Sequence, residues 1–352
     1  MSEQPHWRRW IVILVVVAVV AVGVGLTVLL DGSGTPAVTP SATPSASSKA
    51  TPTPPLVRAQ HNLLLEVRDD SRKVVFAQIM STSYGKTPGK LLQVPTDLLV
   101  PTPTWSPLRL TGDANDTLQS QRALEQLLGV NIDISLILDR LAFAGLIDAT
   151  LTPQEAVAAR SSDDVAGVVS AALAKLPSSS EAAGQVLLSL GHMARSSSSN
   201  SDLVALLLTL RKDAIAGNQK RVTLPVSTVR ANDAVVVKRS ATDAMVGRHF
   251  AASLLAPGET VRPRVVLIPA GASAAQLALA TENLIDAGMT VIPGETGNRV
   301  ANSRVTVPPD LVSVRIGQRA ATAIGLLAAE VKESAKAPVD VEIVLGPDVP
   351  SL

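Results

Sequence analysis

Residues 10–30, WIVILVVVAVVAVGVGLTVLL, form an unbroken apolar run with no charge and no proline inside it. At a rise of ~1.5 Å per residue, a run of this length crosses the ~30 Å hydrocarbon core of a bilayer as one helix. The pattern then changes abruptly. Residues 32–55, GSGTPAVTPSATPSASSKATPTPP, have no apolar face and repeat Thr-Pro steps, which predicts a disordered, extended spacer. From residue 56 onward, short β-branched runs alternate with segments whose apolar residues recur every three or four positions, the mark of an α/β fold.

Within that body, HNLLLEV (61–67) and VVFAQIM (74–80) flank the polar stretch RDDSRK and predict strand, turn, strand. KLLQV (90–94) predicts a third strand ending at Pro95-Thr96-Asp97, followed by an irregular connection through Pro101, Pro103 and Pro107. Asn115-Asp116 is placed to cap a helix that runs to Leu128 and stops at Gly129. IDISLIL (132–138) predicts a strand, and Asp139 caps a helix through Asp148. Helical spacing continues over 153–159, 163–176, 180–193 and 201–216, with a serine-rich loop at 196–200. Residues 221–226 and 234–237 predict a closing hairpin and 242–255 a last helix before the Pro257-Gly258 step.

After that step a smaller unit predicts strand 264–268, helix 273–287 closed by Gly288, strand 290–292, strand 302–307, a long helix over 312–331 and strand 339–345. This is a β-α-β-β-α-β order. The expected organisation is therefore a cytoplasmic N-terminus (1–9), a transmembrane signal anchor (10–30), a spacer (31–55), an α/β sandwich domain (56–256) and a small C-terminal domain (257–352).

A cleaved secretory signal has an apolar core of only ~7–15 residues and a small-x-small cleavage site. The longer run here and the poor site Leu29-Leu30-Asp31-Gly32 predict an uncleaved anchor. Arg8 and Arg9 before the run, against Asp31 after it, put the N-terminus inside the cell. The expected location is the cytoplasmic membrane, with a single pass and the bulk of the chain outside the cytoplasm.

Composition narrows the function. The 352 residues carry a formal charge of +1, and no basic stripe stands out, which argues against nucleic acid as a partner. There is no cysteine, so disulfides and thiolate metal sites are excluded, and His6, His61, His192 and His249 lack ligand spacing, so no metal site is expected. Aromatic residues make up 2% of the chain, too few for stacking platforms that bind sugars or bases. No Gly-x-Ser-x-Gly or Gly-x-x-x-x-Gly-Lys pattern points to a hydrolase triad or a phosphate loop.

Four stretches together resemble a divergent LytR-CpsA-Psr protein of the actinobacterial type. Asn62-Leu63-Leu64-Leu65 with Arg68-Asp69-Asp70-Ser71-Arg72 resembles the family's opening strand and acidic loop, and Asp70 fits either of two family patterns there. Leu92-Gln93-Val94-Pro95-Thr96-Asp97 is similar to its strand ending in Pro-Arg-Asp. Leu127-Leu128-Gly129-Val130 with Asp133, Asp139 and Arg140 resembles its Leu-Gly-Ile-x-Ile-Asp strand and the helix that follows. Val265-Val266-Leu267-Ile268, Gly271, Thr306-Val307 and Val341-Glu342-Ile343-Val344-Leu345-Gly346-Pro347-Asp348 resemble the LytR C-terminal domain.

The resemblance implies phosphotransfer of a glycopolymer from a polyprenyl-pyrophosphate carrier onto the cell wall, with arginines gripping the pyrophosphate and aspartates holding magnesium. It makes Asp70 and Asp97 the catalytic candidates and Arg68, Arg72 and Arg109 the ligand-binding candidates. The chain departs from the family where cations matter. Thr96 replaces the arginine of Pro-Arg-Asp, and between 150 and 195 only Arg160 and Arg195 remain of the family's arginine run. The expectation is a pseudoenzyme: a binding or assembly module in wall biogenesis, without a cofactor, facing the membrane, a polyprenyl-linked glycan, peptidoglycan or other envelope proteins. The alternative is the phosphotransferase itself, with magnesium and with Arg109 or Arg160 standing in for the lost cations.

Overall fold

The computed structural model describes residues 58–102, 105–111, 118–228, 234–256, 258–326, 331–334 and 340–350. The anchor expected at 10–30, the spacer at 31–55 and the cap expected at Asn115-Asp116 lie outside them. Among the described residues no helix is long and apolar enough to cross a membrane.

The RDDSRK turn folds β1 (Asn62–Arg68) back on β2 (Val74–Ser81) as the two apolar runs around a polar stretch predict, and β3 (Gly89–Val94) adds to β2 in antiparallel register. A small ribbon follows, β4 (Leu99–Val100) with β5 (Ser106–Pro107). Helix α1 (Gln119–Leu128) ends at Gly129, whose φ of 71° is left-handed. Strand β6 (Ile134–Asp139) runs parallel to β1, and Asp139 Oδ1 caps α2 (Arg140–Thr150) by accepting from the Ala142 amide at 2.8 Å.

Four helices continue the chain: α3 (Pro153–Arg160), α4 (Val165–Lys175), α5 (Ser180–Ser189) and α6 (Asn200–Ile215). Before α6, the three-residue β7 (Ala194–Ser196) pairs with β6. Thus Ser196, assigned to a loop by composition, ends a strand. Strand β8 (Gln219–Thr223) pairs in parallel with β3, completing a six-stranded sheet in the order β7-β6-β1-β2-β3-β8.

The hairpin expected from 221–226 and 234–237 is therefore divided. Arg221 and Val222 join the main sheet, Pro225 has no N–H with which to continue the ladder, and β9 (Val226–Thr228) then pairs with β10 (Val235–Val237). The helix expected to reach residue 255 is α7 (Arg239–His249), followed by a turn of 3-10 helix.

All seven residues of β1 are buried because both faces of the sheet are covered. Leu63, Leu65 and Val67 face the core built with α2, α4, α5 and α6, and Leu64 faces the core built with α1 and α7.

The C-terminal unit contains β11 (Arg264–Pro269), α8 (Ala274–Asp286), β12 (Thr290–Pro293), β13 (Arg304–Val307), α9 (Leu311–Ala323), β14 (Val331–Glu333) and β15 (Val341–Leu345). Its sheet order is β12-β11-β15-β13-β14. The long helix expected over 312–331 is shorter. It closes at Gly325, with φ 78°, and Val331 begins a strand beside Val305, giving one strand more than β-α-β-β-α-β.

One face of this sheet is covered by α8 and α9, and Val266 and Ile292 on the other join the α1 side of the first core, so residues 56–352 form one compact unit. One buried arginine, Arg264, fastens the join, and a second, Arg239 of α7, holds the same helix end from within the first unit. Arg264 Nε donates to the Gln126 carbonyl at 2.6 Å and Arg239 Nη1 to the Leu127 carbonyl at 2.9 Å, satisfying the last turn of α1. Burial lowers the pKa of both guanidiniums and raises that of the Asp340 carboxyl, which accepts from the Arg264 and Gly258 amides.

Candidate functional site

Strands β1, β3, β6 and β8 run in one direction, so their C-terminal ends share one edge of the sheet. The candidates follow β1 and β3 there. Strand β2 lies between them, so at ~4.8 Å per strand the ends that carry Asp70 and Asp97 are about 10 Å apart.

Arg68, the best ligand-binding candidate, is 1% exposed and its neighbour on the same strand face, Glu66, is 0% exposed. Arg68 Nε and Nη2 both donate to Glu66 Oε2, at 3.2 and 2.7 Å. Arg68 Nη1 and Glu66 Oε1 are buried without partners. This guanidinium is enclosed in the protein and neutralised by a carboxylate of its own strand.

Asp70 and Arg72 are exposed in the turn between β1 and β2, and neither side chain has a partner among the described residues. The turn is held instead by Asp69, whose Oδ1 accepts from the Lys73 amide at 2.9 Å. Arg72 has φ 63°, a left-handed conformation that costs a non-glycine residue about 1–2 kcal/mol. Arg72→Gly should therefore stabilise the chain by about 0.5–1 kcal/mol in urea unfolding, the left-handed strain relieved less the entropy that glycine adds to the unfolded chain.

Asp97 pairs with Arg109, both side chains being nearly half exposed. The Arg109 amide bonds the Thr96 carbonyl at 2.7 Å, which fixes the 108–110 turn beside the β3 end. Arg160, at the end of α3, pairs with Asp148 of α2 and not with Asp97. The structure thus brings together Asp97 and Arg109, encloses Arg68, and leaves Asp70 and Arg72 on a solvated turn. Among the described residues no group of three or more His, Asp or Glu side chains could hold a metal ion.

Two open clefts lie elsewhere. One, of about 380 Å³, is lined at the opposite sheet edge by His61, Thr82, Asp133, Ser198, Asp202 and Thr209 among others, with His61 Nδ1 3.3 Å from Asp133 Oδ1. The other, of about 320 Å³, lies between α1 and the C-terminal unit and carries Arg122 and Arg262. Neither is lined by any of the five candidates. A third, apolar pocket of about 30 Å³ lies between the sheet and α2, α4, α5 and α6, lined by Leu63, Leu65, Met80, Leu173 and Leu207 among others.

Arg122 and Arg262 escaped sequence reasoning because 140 positions separate them and each reads alone as a solvated surface residue. The i, i+3, i+4, i+7 set Gln119, Arg122, Ala123 and Gln126, a helix face without a carboxylate, was the available signal.

No family model matches the sequence, and no curated protein does. Among solved structures, the chain is similar to a LytR-Csp2A-Psr enzyme from Actinomyces oris, at 15% identity over 56% of this chain and 92% of that one, with a TM-score of 0.43. It is also similar to B. subtilis TagU, at 11% identity over 56% of this chain and 97% of that one, and to B. subtilis TagV, at 10% over 56% and 99%, each with a TM-score of 0.44. These structural neighbours are proteins of the LytR-CpsA-Psr family.

Proposed function

We propose that this chain is a divergent, membrane-anchored LytR-CpsA-Psr protein of the cell envelope, and that its first α/β unit acts as a binding or assembly scaffold in wall biogenesis without transferring phosphate. The observation that carries the reading is the enclosure of Arg68 against Glu66. A pyrophosphate needs several guanidiniums facing it, and losing a buried charged contact to such an anion costs ~2–5 kcal/mol. At this edge Arg68 is already neutralised and Thr96 brings no cation.

The apolar pocket agrees with a scaffold role. At about 30 Å³ it is far smaller than the ~300 Å³ at which ligand sites begin, so a polyprenyl tail would enter only if the helices parted from the sheet. The observation favouring the phosphotransferase reading is the Asp97–Arg109 pair at the end of β3, a carboxylate and a guanidinium side by side where family motifs place charge.

Co-sedimentation of the full chain, in mild detergent, with purified cell-wall sacculi tests the scaffold. The wild type and the Asp70→Asn/Asp97→Asn double variant should be retained equally. Failure of the wild type to sediment, or retention that needs both carboxylates, contradicts the proposal.

A further inference from the structure

We infer that the cleft between α1 and the C-terminal unit is a binding site for a phosphate group carried on a small polyol or sugar. Its walls are Gln119, Arg122, Ala123 and Gln126 of α1, Pro101 and Thr102 of the β4–β5 ribbon, and Val261, Arg262 and Thr290 of the C-terminal unit. The only charged residues among them are the two arginines. Neither has an ion-pair partner among the described residues, and both line the same space of about 320 Å³, where no described lining residue is a carboxylate.

The nearest acid on the helix, Glu125, makes no ion pair with Arg122, whose charge is the weakest of the influences on its carboxyl. Glu125 Oε1 accepts from the Ile132 amide at 2.9 Å, and burial raises the pKa of its carboxyl. Behind the wall two buried arginines hold the end of α1, Arg239 paired with Asp243 and Arg264 beside the Asp340 carboxyl. Arg264 is 4% exposed with Nη2 unpartnered and Nε on the Gln126 carbonyl, while Arg239 holds the next carbonyl of the same helix.

A built donor completes the wall. Gln126 is 9% exposed, and its Oε1 accepts from Thr290 Oγ1 at 2.7 Å, which fixes the amide and leaves Nε2 without a partner among the described residues. Two guanidinium forks and an oriented amide suit the oxygens of a phosphate, because charge-assisted bonds to such an anion are about twice as strong as neutral ones. Pro101, Ala123 and Val261 supply apolar surface for the carbon skeleton of a polyol, and the volume lies at the small end of ligand sites, ~300–1,000 Å³. None of its lining residues is among the candidates at the edge where Asp97 sits, so it stands whether or not the envelope reading does.

Tryptophan fluorescence provides the test. Trp105 follows the ribbon residues that line the cleft, and a Trp7→Phe/Trp10→Phe background leaves it the only tryptophan of the full chain. Titration in detergent with sn-glycerol 3-phosphate should saturate at one site, whereas glycerol should leave the signal unchanged. Arg122→Gln or Arg262→Gln should each weaken binding about tenfold, the double variant should abolish it, and Arg122→Lys/Arg262→Lys, which keeps the charges but not the forks, should bind between the wild type and the double glutamine variant, with affinity falling as salt rises.

Both arginines are exposed, so unaltered melting of the glutamine variants confirms their fold. A parallel titration with monomeric dihexanoylphosphatidic acid identifies the source of the phosphate. Binding about tenfold tighter than sn-glycerol 3-phosphate assigns it to a lipid headgroup, and equal binding to a soluble or polymeric phosphate. No saturation by sn-glycerol 3-phosphate, equal response to glycerol, or a double glutamine variant that binds like the wild type overturns the inference.

Discussion

Arg68→Met should destabilise the chain by about 3–5 kcal/mol in chemical denaturation, because it leaves the fully buried carboxylate of Glu66 without its partner. Replacing both residues, Glu66→Leu with Arg68→Met, should recover most of that loss or exceed the wild type by about 1–4 kcal/mol, since an apolar pair of similar volume avoids desolvating two charges. The wild-type pair is also incompletely bonded, with Arg68 Nη1 and Glu66 Oε1 unpartnered, which adds to the cost of keeping it. A catalytic Arg68 would behave differently: the single variant would lose activity at little cost in stability. The double-mutant cycle separates the two cases.

Gly129→Ala should cost about 2.5–5 kcal/mol. Part of this is the left-handed φ of 71°, worth about 1–2 kcal/mol for a residue with a Cβ. The rest comes from Arg264, because a Cβ on Gly129 would lie 2.3 Å from Nη1 and 2.8 Å from Cζ of that guanidinium. Arg264 cannot give way without breaking its buried bond to the Gln126 carbonyl, a charged hydrogen bond worth about 1.5–3 kcal/mol. Gly288→Ala is the control. Its φ is 77° but nothing lies within 4 Å, so only the backbone term of about 1–2 kcal/mol should appear. Calorimetric melting of the two variants reads the difference directly.

The elements that the sequence made legible are those decided within a few residues. The β1–β2 hairpin follows from two short apolar runs around one polar turn, and Asp139 and Ser273 mark helix starts because each caps an amide of its own first turn. The elements it concealed depend on distant partners. Strand β8 belongs to β3, about 130 positions earlier, and its own residues are mostly exposed or half-buried, so they carry no strong apolar signal. Gly325 stops α9 through a left-handed turn inside a stretch whose apolar spacing otherwise continues.

The candidate site divides in the same way. The position of Asp97 at a strand end was readable, but its pairing with Arg109 depends on a turn folded back by two backbone hydrogen bonds, from Leu108 to Leu98 and from Arg109 to Thr96. The fate of Arg68 had a local sign that resemblance to a family outweighed. Glu66 and Arg68 stand two apart in a strand of otherwise apolar residues and so share one face, where opposite charges pair when both faces are covered.

The most direct test of the account is a transfer assay. The purified full chain is incubated in detergent with magnesium, a radiolabelled polyprenyl-pyrophosphate-linked glycan and cell-wall acceptor, and release of the polyprenyl phosphate is followed. No transfer above a blank without protein is expected, at any magnesium concentration. Turnover that is abolished by Asp97→Asn or Arg109→Gln, in variants that melt like the wild type, would contradict the account.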